Sequence, residues 1–244
     1  MADRQKSEDW VTFARIGELD DDPVQGNFDA AHLREIHRRI FQDLPHHAPG
    51  EYRPDAPVHI KMRELEASGY RYHVHYAPRS LLDAGVEKVL AELGGASALC
   101  NLDAEAFAQR MSKLYADLDY LHPFREGNSR TLRAFTVQLA RTAGYELNWG
   151  ASNVGAASRD RLYIARDKEV TLRAFPGLDQ DRAMKTESRE EYEAYAMFLA
   201  PFVKADTLQQ IIKELVSETG GRVQTQERDH NRRQRPGWLR QDAK

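Results

Sequence analysis

His122-Pro123-Phe124-Arg125-Glu126-Gly127-Asn128-Ser129-Arg130-Thr131-Leu132-Arg133 sets a titratable ring, a carboxylate, a Gly-Asn turn and two arginines in one short run. The run lies between two segments with helical apolar spacing. Upstream, Phe107, Met111, Leu114, Tyr115, Leu118 and Leu121 recur at offsets of three and four and predict one face of a helix over 104–121. Pro123 disfavours helical geometry at His122, so that helix stops there. Downstream, Leu132, Phe135, Leu139 and Ala143 form a second stripe ending at Gly144, with Ser129 as the expected N-cap. The run is therefore a loop feeding a helix N-terminus.

Those residue types suit one chemistry. Gly127 and Asn128 readily take left-handed or tight-turn geometry, which turns successive backbone N–H groups into one concavity. With a helix N-terminus behind it, the concavity is an anion site. Arg130 and Arg133 lie three apart on the opening helix and share a face, where two guanidinium forks can clamp phosphate oxygens. Glu126 offers a hard oxygen ligand for Mg²⁺. His122 titrates near neutrality and can take a proton from an attacking hydroxyl. A lone His beside Pro is usually structural, and an Arg-x-x-Arg pair is usually a solvated helix face. It is their convergence on one loop that favours a nucleotide site.

The run resembles the Fic-domain protein adenylyltransferase signature, His-x-Phe-x-(Asp/Glu)-Gly-Asn-(Gly/Lys)-Arg-x-x-Arg, departing from it only at Ser129. Asn27-Phe28-Asp29-Ala30-Ala31-His32-Leu33 with Ile36, His37, Ile40 and Phe41 is similar to the first helix of such domains. Gly50-Glu51-Tyr52-Arg53 resembles the segment after it, and Tyr76-Ala77-Pro78 the end of the family's target-docking flap. The resemblance covers residues 27 to 150, and more weakly to about 204. It implies an all-α fold, a helical bundle with a small β-hairpin flap beside the active-site loop. It also implies AMP transfer from Mg-ATP to a hydroxyl side chain of a target protein. In that scheme His122 is the general base, Phe124 anchors the loop and Glu126 holds the metal. Gly127, Asn128 and Ser129 form the phosphate nest, and Arg130 and Arg133 hold the β- and γ-phosphates. Family members with Lys at the Ser129 position turn the nucleotide around and transfer phosphate instead, which makes a phosphotransferase the second reading.

Fic enzymes are commonly silenced by a helix reading (Ser/Thr)-x-x-x-Glu-(Gly/Asn), whose Glu pairs with the second motif arginine, here Arg133. Thr142 and Thr186 each precede a Glu by four residues, but Leu147 and Glu191 follow where Gly or Asn is required. The resemblance then implies a toxin held by a small separate antitoxin supplying the Glu, or a secreted effector without one. The implied targets are gyrase or topoisomerase IV subunits for toxins and host GTPases for effectors. A non-enzymatic binding module has no need for the whole residue set.

The chain has 244 residues, 41% hydrophobic and 30% charged, which suits one soluble domain with a sizeable core. A net charge of −3 gives no general argument for nucleic-acid binding. The single Cys100 excludes an intrachain disulfide and fits a reducing compartment. The polar N-terminus has no apolar signal core, and no run approaches membrane-spanning length, so a cytoplasmic location is expected.

Residues 1–26 read as an N-terminal surface arm, 27–218 as the Fic-like domain with its flap at about 58–76, and 219–244 as a flexible polar and basic tail. Asp29 is the expected N-cap of a helix running to Phe41–Leu44. Helices are expected at 80–93, 158–168, 190–203 and 206–216, with Pro201 dividing the last two and 148–157 forming a loop. Residues 170–185 resist assignment. His73-x-His75 and the adjacent His46-His47 tempt a metal reading, but no third ligand accompanies either in sequence.

Overall fold

The computed structural model of the chain describes residues 2–54, 58–200 and 205–219. Its centre is the helix predicted from the apolar stripe, α4 (Ala104–Leu121), with Asp103 accepting from the Ala106 N–H at 2.8 Å as its N-cap. Phe107, Met111, Tyr115 and Leu118 are wholly buried. α3 (Leu82–Leu93), α5 (Asn128–Thr142), α6 (Ala156–Ala174) and a short C-terminal helix (Leu208–Leu215) pack around it. α2 (Ala30–Phe41) packs on α5 through Leu33, Ile36, Ile40 and Phe41, and Asp29 caps it as expected.

The hairpin forms where the resemblance placed the flap. β1 (His59–Glu64) pairs antiparallel with β2 (Arg71–Tyr76) in register His59 to Tyr76 through Glu64 to Arg71. Tyr72, Val74 and Tyr76 face inward and join Val170, Phe198 and Leu199 in a second, smaller apolar cluster. That cluster fastens the flap to α6. On β1 the period-two alternation turns Lys61 and Arg63 inward and leaves Ile60 and Met62 exposed.

Several expectations are corrected. Residues expected as a surface arm form the helix α1 (Ala2–Asp21), which packs on α2. Its sequence hides this because the helix is held mainly by charge. Arg15 pairs with Asp43 at 2.7 Å, and Arg141 pairs with Asp20 at 2.9 Å. Only Thr12 and Leu19 of its described side chains are buried. The helix expected at 158–168 runs from Ala156 to Ala174, because Val170 and Thr171 continue its buried face. Residues 148–157 contain a 3₁₀ turn, Trp149–Asn153. A short helix, α7 (Gln180–Ala183), lies in the stretch left unassigned, and α8 (Arg189–Ala194) continues into a π turn, Tyr195–Leu199. The C-terminal helix, α9 (Leu208–Leu215), has a capping box on Thr207 and Gln210 and gives way to β4 (Val216–Glu218), which pairs with β3 (Tyr145–Leu147). Pro201 and the tail from 220 lie outside the described residues. No described helix is long and apolar enough to cross a membrane.

Candidate active site

The loop between α4 and α5 is held from three sides. α4 ends because His122 turns left-handed, at φ 47° and ψ 56°. Arg53 grips this turn: its amide donates to the Pro123 carbonyl at 2.8 Å and its Nε to the His122 carbonyl at 2.9 Å. Phe124 is wholly buried and stacks on His37, ring centroids 3.9 Å apart. His37 accepts from the Gly50 N–H at Nδ1 (2.8 Å), so its Nε2–H donates to the Glu126 carbonyl at 3.1 Å. Asn128 closes the loop on itself, accepting from the Phe124 N–H at 2.9 Å and donating to the Phe124 carbonyl at 2.7 Å.

Gly127, not Ser129, is the N-cap of α5, with φ +75°. A Cβ built on Gly127 would lie 2.0 Å from Cζ of Phe41, so both conformation and space require glycine. Ser129 falls inside the first turn, where its hydroxyl accepts from Arg166 Nη1 at 3.2 Å.

His122 is 6% exposed, its ring packed against Tyr76 with centroids 3.9 Å apart. Neither ring nitrogen has a hydrogen-bond partner among the described residues. Nδ1 lies 3.8 Å from Asp119, one turn earlier on α4. Burial pushes the His122 pKa down to about 4 against the opposing pull of Asp119, so the ring is neutral at pH 7 and able to accept a proton. Burial alone would push the Asp119 carboxyl up. Arg166 and His122 outweigh it and hold the group ionised. Arg166 grips Asp119 with two nitrogens, Nη2 at 2.9 Å and Nε at 3.1 Å.

A cleft of about 740 Å³ opens beside this pair, bringing together His122, Glu126, Gly127, Asn128, Ser129, Arg130 and Arg133. Phe124 alone of the predicted site residues stays out of it, as an anchor. Lys61 and Arg63 from the flap and Arg166 from α6 add positive charge. Arg133 Nε is buried without a hydrogen-bond partner among the described residues, and its guanidinium lies 5.9 Å from the Trp149 ring. Arg130 donates to the Thr12 hydroxyl at 2.7 Å and lies 3.6 Å from Asp9. Burial pushes the Glu126 carboxyl up, but the Gly127 N–H, Lys61 and Arg130 outweigh it and keep it below its usual range. Glu126 is half exposed, and its Oε2 makes no hydrogen bond among the described residues, which fits a single carboxylate contact to Mg²⁺.

Sequence reasoning missed Asp119, Arg166, Lys61 and the whole contribution of α1. A charged residue on the buried stripe of α4 was the available signal for Asp119. For α1 the signal was Thr12-Phe13-Ala14-Arg15-Ile16-Gly17, which fits the inhibitory-helix pattern except that Ile16 replaces Glu. Thr12 and Ile16 both line the cleft.

The Fic/DOC family model matches residues 27–140. A probable protein adenylyltransferase of Sinorhizobium fredii, y4lH, is 35% identical over 153 residues, covering 62% of this chain and 68% of y4lH. The chain belongs to the Fic/DOC family. The protein adenylyltransferase VbhT of Bartonella schoenbuchensis is also 35% identical over 145 residues, but the match spans 59% of this chain and only 28% of VbhT. The Fic fold is shared with the effector BepC of Bartonella tribocorum, solved with AMPPNP, at a TM-score of 0.59 and 17% identity over 88% of this chain and 86% of that one. The Fic domain of a Bartonella quintana effector, solved with ADP, gives 0.55 at 20% identity over the same shares.

Proposed function

We propose that this Fic protein is an adenylyltransferase that moves AMP from ATP to a hydroxyl side chain of another protein. The observation that carries the reading is a buried, neutral His122 at the edge of an arginine-lined cleft on the α5 N-terminus. The target hydroxyl oxygen attacks the α-phosphorus of ATP. The bond from that phosphorus to the α,β-bridging oxygen breaks, and pyrophosphate leaves. With Nδ1 turned to Asp119, His122 Nε2 takes the hydroxyl proton. The backbone N–H groups of Asn128 and Ser129, in the open first turn of α5, and the guanidinium of Arg133 would face the polyphosphate. Mg²⁺ held by Glu126 would neutralise phosphate charge.

Ser129 brings no positive charge of its own, and its hydroxyl is engaged by Arg166. That favours AMP transfer over the reversed nucleotide pose that a Lys at this position accompanies. The target would add a strand to β1, whose other edge is unpaired among the described residues and beside which Ile60 and Met62 are exposed. Gyrase or topoisomerase IV subunits are the first targets to test.

Regulation follows from α1. Its pattern puts Ile16 where a brake needs a carboxylate for Arg133, so at that position this helix offers Arg133 no competitor for the γ-phosphate. A separate antitoxin is a second reading, favoured by the unpartnered Arg133 Nε. Such a protein would have to pack beside α1 or displace it. Wild-type protein with α-labelled ATP and a bacterial lysate should label protein bands, Ile16→Glu should suppress the label, and His122→Ala should abolish it. No label with wild type removes the proposal. Equal labelling by Ile16→Glu removes the account of α1 alone.

A further inference from the structure

The sequence offered His46 and His47 without a third ligand, and the fold supplies one from α1, 38 residues upstream of His46. Glu8, on the first half of α1, reaches across so that one carboxylate oxygen lies 3.1 Å from His46 Nε2 and the other 3.0 Å from His47 Nε2. Among the described residues this is the group whose donor atoms can converge on a metal, all lying within 4.8 Å of one another. We propose that Glu8, His46 and His47 form a binding site for a borderline divalent cation such as Zn²⁺, and that the ion clips α1 to the loop after α2.

The donor set is two imidazole nitrogens and one carboxylate oxygen, an N₂O combination that suits such ions and leaves a fourth tetrahedral position for water. Metal–ligand bonds of about 2.0–2.1 Å put tetrahedral donors roughly 3.4 Å apart. The two Glu–His separations are already near that. The rings are held in place: His46 and His47 centroids are 4.1 Å apart, and His47 packs edge-on against Phe41 at 5.4 Å. Glu8 and His47 are mostly shielded, with side chains 13% and 17% exposed, while His46 at 39% leaves an entry path.

The consequence lies one helical turn further along α1. Thr12 stands four residues after Glu8, donates to the Glu8 carbonyl at 3.0 Å and accepts from Arg130 at 2.7 Å. Fixing Glu8 therefore fixes the turn that holds Arg130. The clip lies outside the catalytic loop, and its test does not depend on transfer activity.

Metal-stripped protein is titrated with ZnCl₂ by calorimetry in parallel with His46→Ala and Glu8→Gln. Hydrogen exchange of α1 is measured with and without Zn²⁺. The expected result is one equivalent bound by wild type, at least tenfold weaker in both variants, with slower exchange over residues 8–16 in wild type only. Unaltered affinity in His46→Ala, or no binding at 100-fold excess, leaves the cluster a hydrogen-bonded bracket only and overturns the proposal. Binding without protection of α1 overturns the clip.

Discussion

Replacing Asp119 with Leu tests whether the pair beneath His122 is structural, catalytic or both. Asp119 is wholly buried and Arg166 only 2% exposed, with three contacts of 2.9 to 3.1 Å between them. Removing the carboxylate leaves a guanidinium uncompensated in the core. Such a loss costs about 3–5 kcal/mol, whereas replacing both partners by apolar residues of similar volume is often neutral or stabilising by about 1–4 kcal/mol. Against a typical domain stability of roughly 5–15 kcal/mol, the single change is severe but leaves a measurable folded population. Urea unfolding followed by circular dichroism should show Asp119→Leu and Arg166→Met each strongly destabilised, and the double variant close to wild type. The double variant should nevertheless transfer slowly, because Nδ1 of His122 loses its neighbour and Ser129 loses Arg166. Additive losses in the double variant would refute the buried-pair reasoning. Restored stability with wild-type turnover would show that the pair does not position His122.

His122→Ala should abolish transfer, a loss of roughly two to four orders of magnitude, while ATP binding by calorimetry stays nearly unchanged. Glu126→Ala should raise the Mg²⁺ concentration needed for half-maximal rate, and an unchanged metal dependence would place the ion elsewhere. Gly127→Ala should cost about 1–3 kcal/mol or more in urea unfolding, because its Cβ would lie 2.0 Å from Phe41 at a φ of +75°. Burial holds His37 and His122 at about 4, below their ordinary 6.5, so the unfolded chain binds protons that the folded protein does not. Their contribution to stability is complete above pH 6.5 and is lost as pH falls toward 4, so the unfolding midpoint should drop across that window. The neutral base itself should persist to about pH 5.

The central helix and the loop were legible because each follows a local rule, a 3.6-residue stripe on α4 and Gly-Asn beside Pro123, while the flap was placed by resemblance to the family. What escaped the sequence depends on distant partners. α1 has little apolar face, and its place is set by Asp43, Arg141 and Arg130, none of them near it in the chain. Asp119 went unread because the partner that neutralises it in the core, Arg166, lies 47 residues on. Ser129 looked like an N-cap because it is the residue type that caps best. The left-handed Gly127 starts the helix two residues earlier than that choice requires. His46 and His47 lacked a third ligand in sequence because Glu8 arrives from α1.

Parallel reactions with α-labelled and γ-labelled ATP test the central claim most directly. AMP transfer predicts that protein targets retain the α label and not the γ label, and that His122→Ala abolishes it. Retention of the γ label with none from the α position would contradict the account and assign the reversed nucleotide and phosphate transfer to this site.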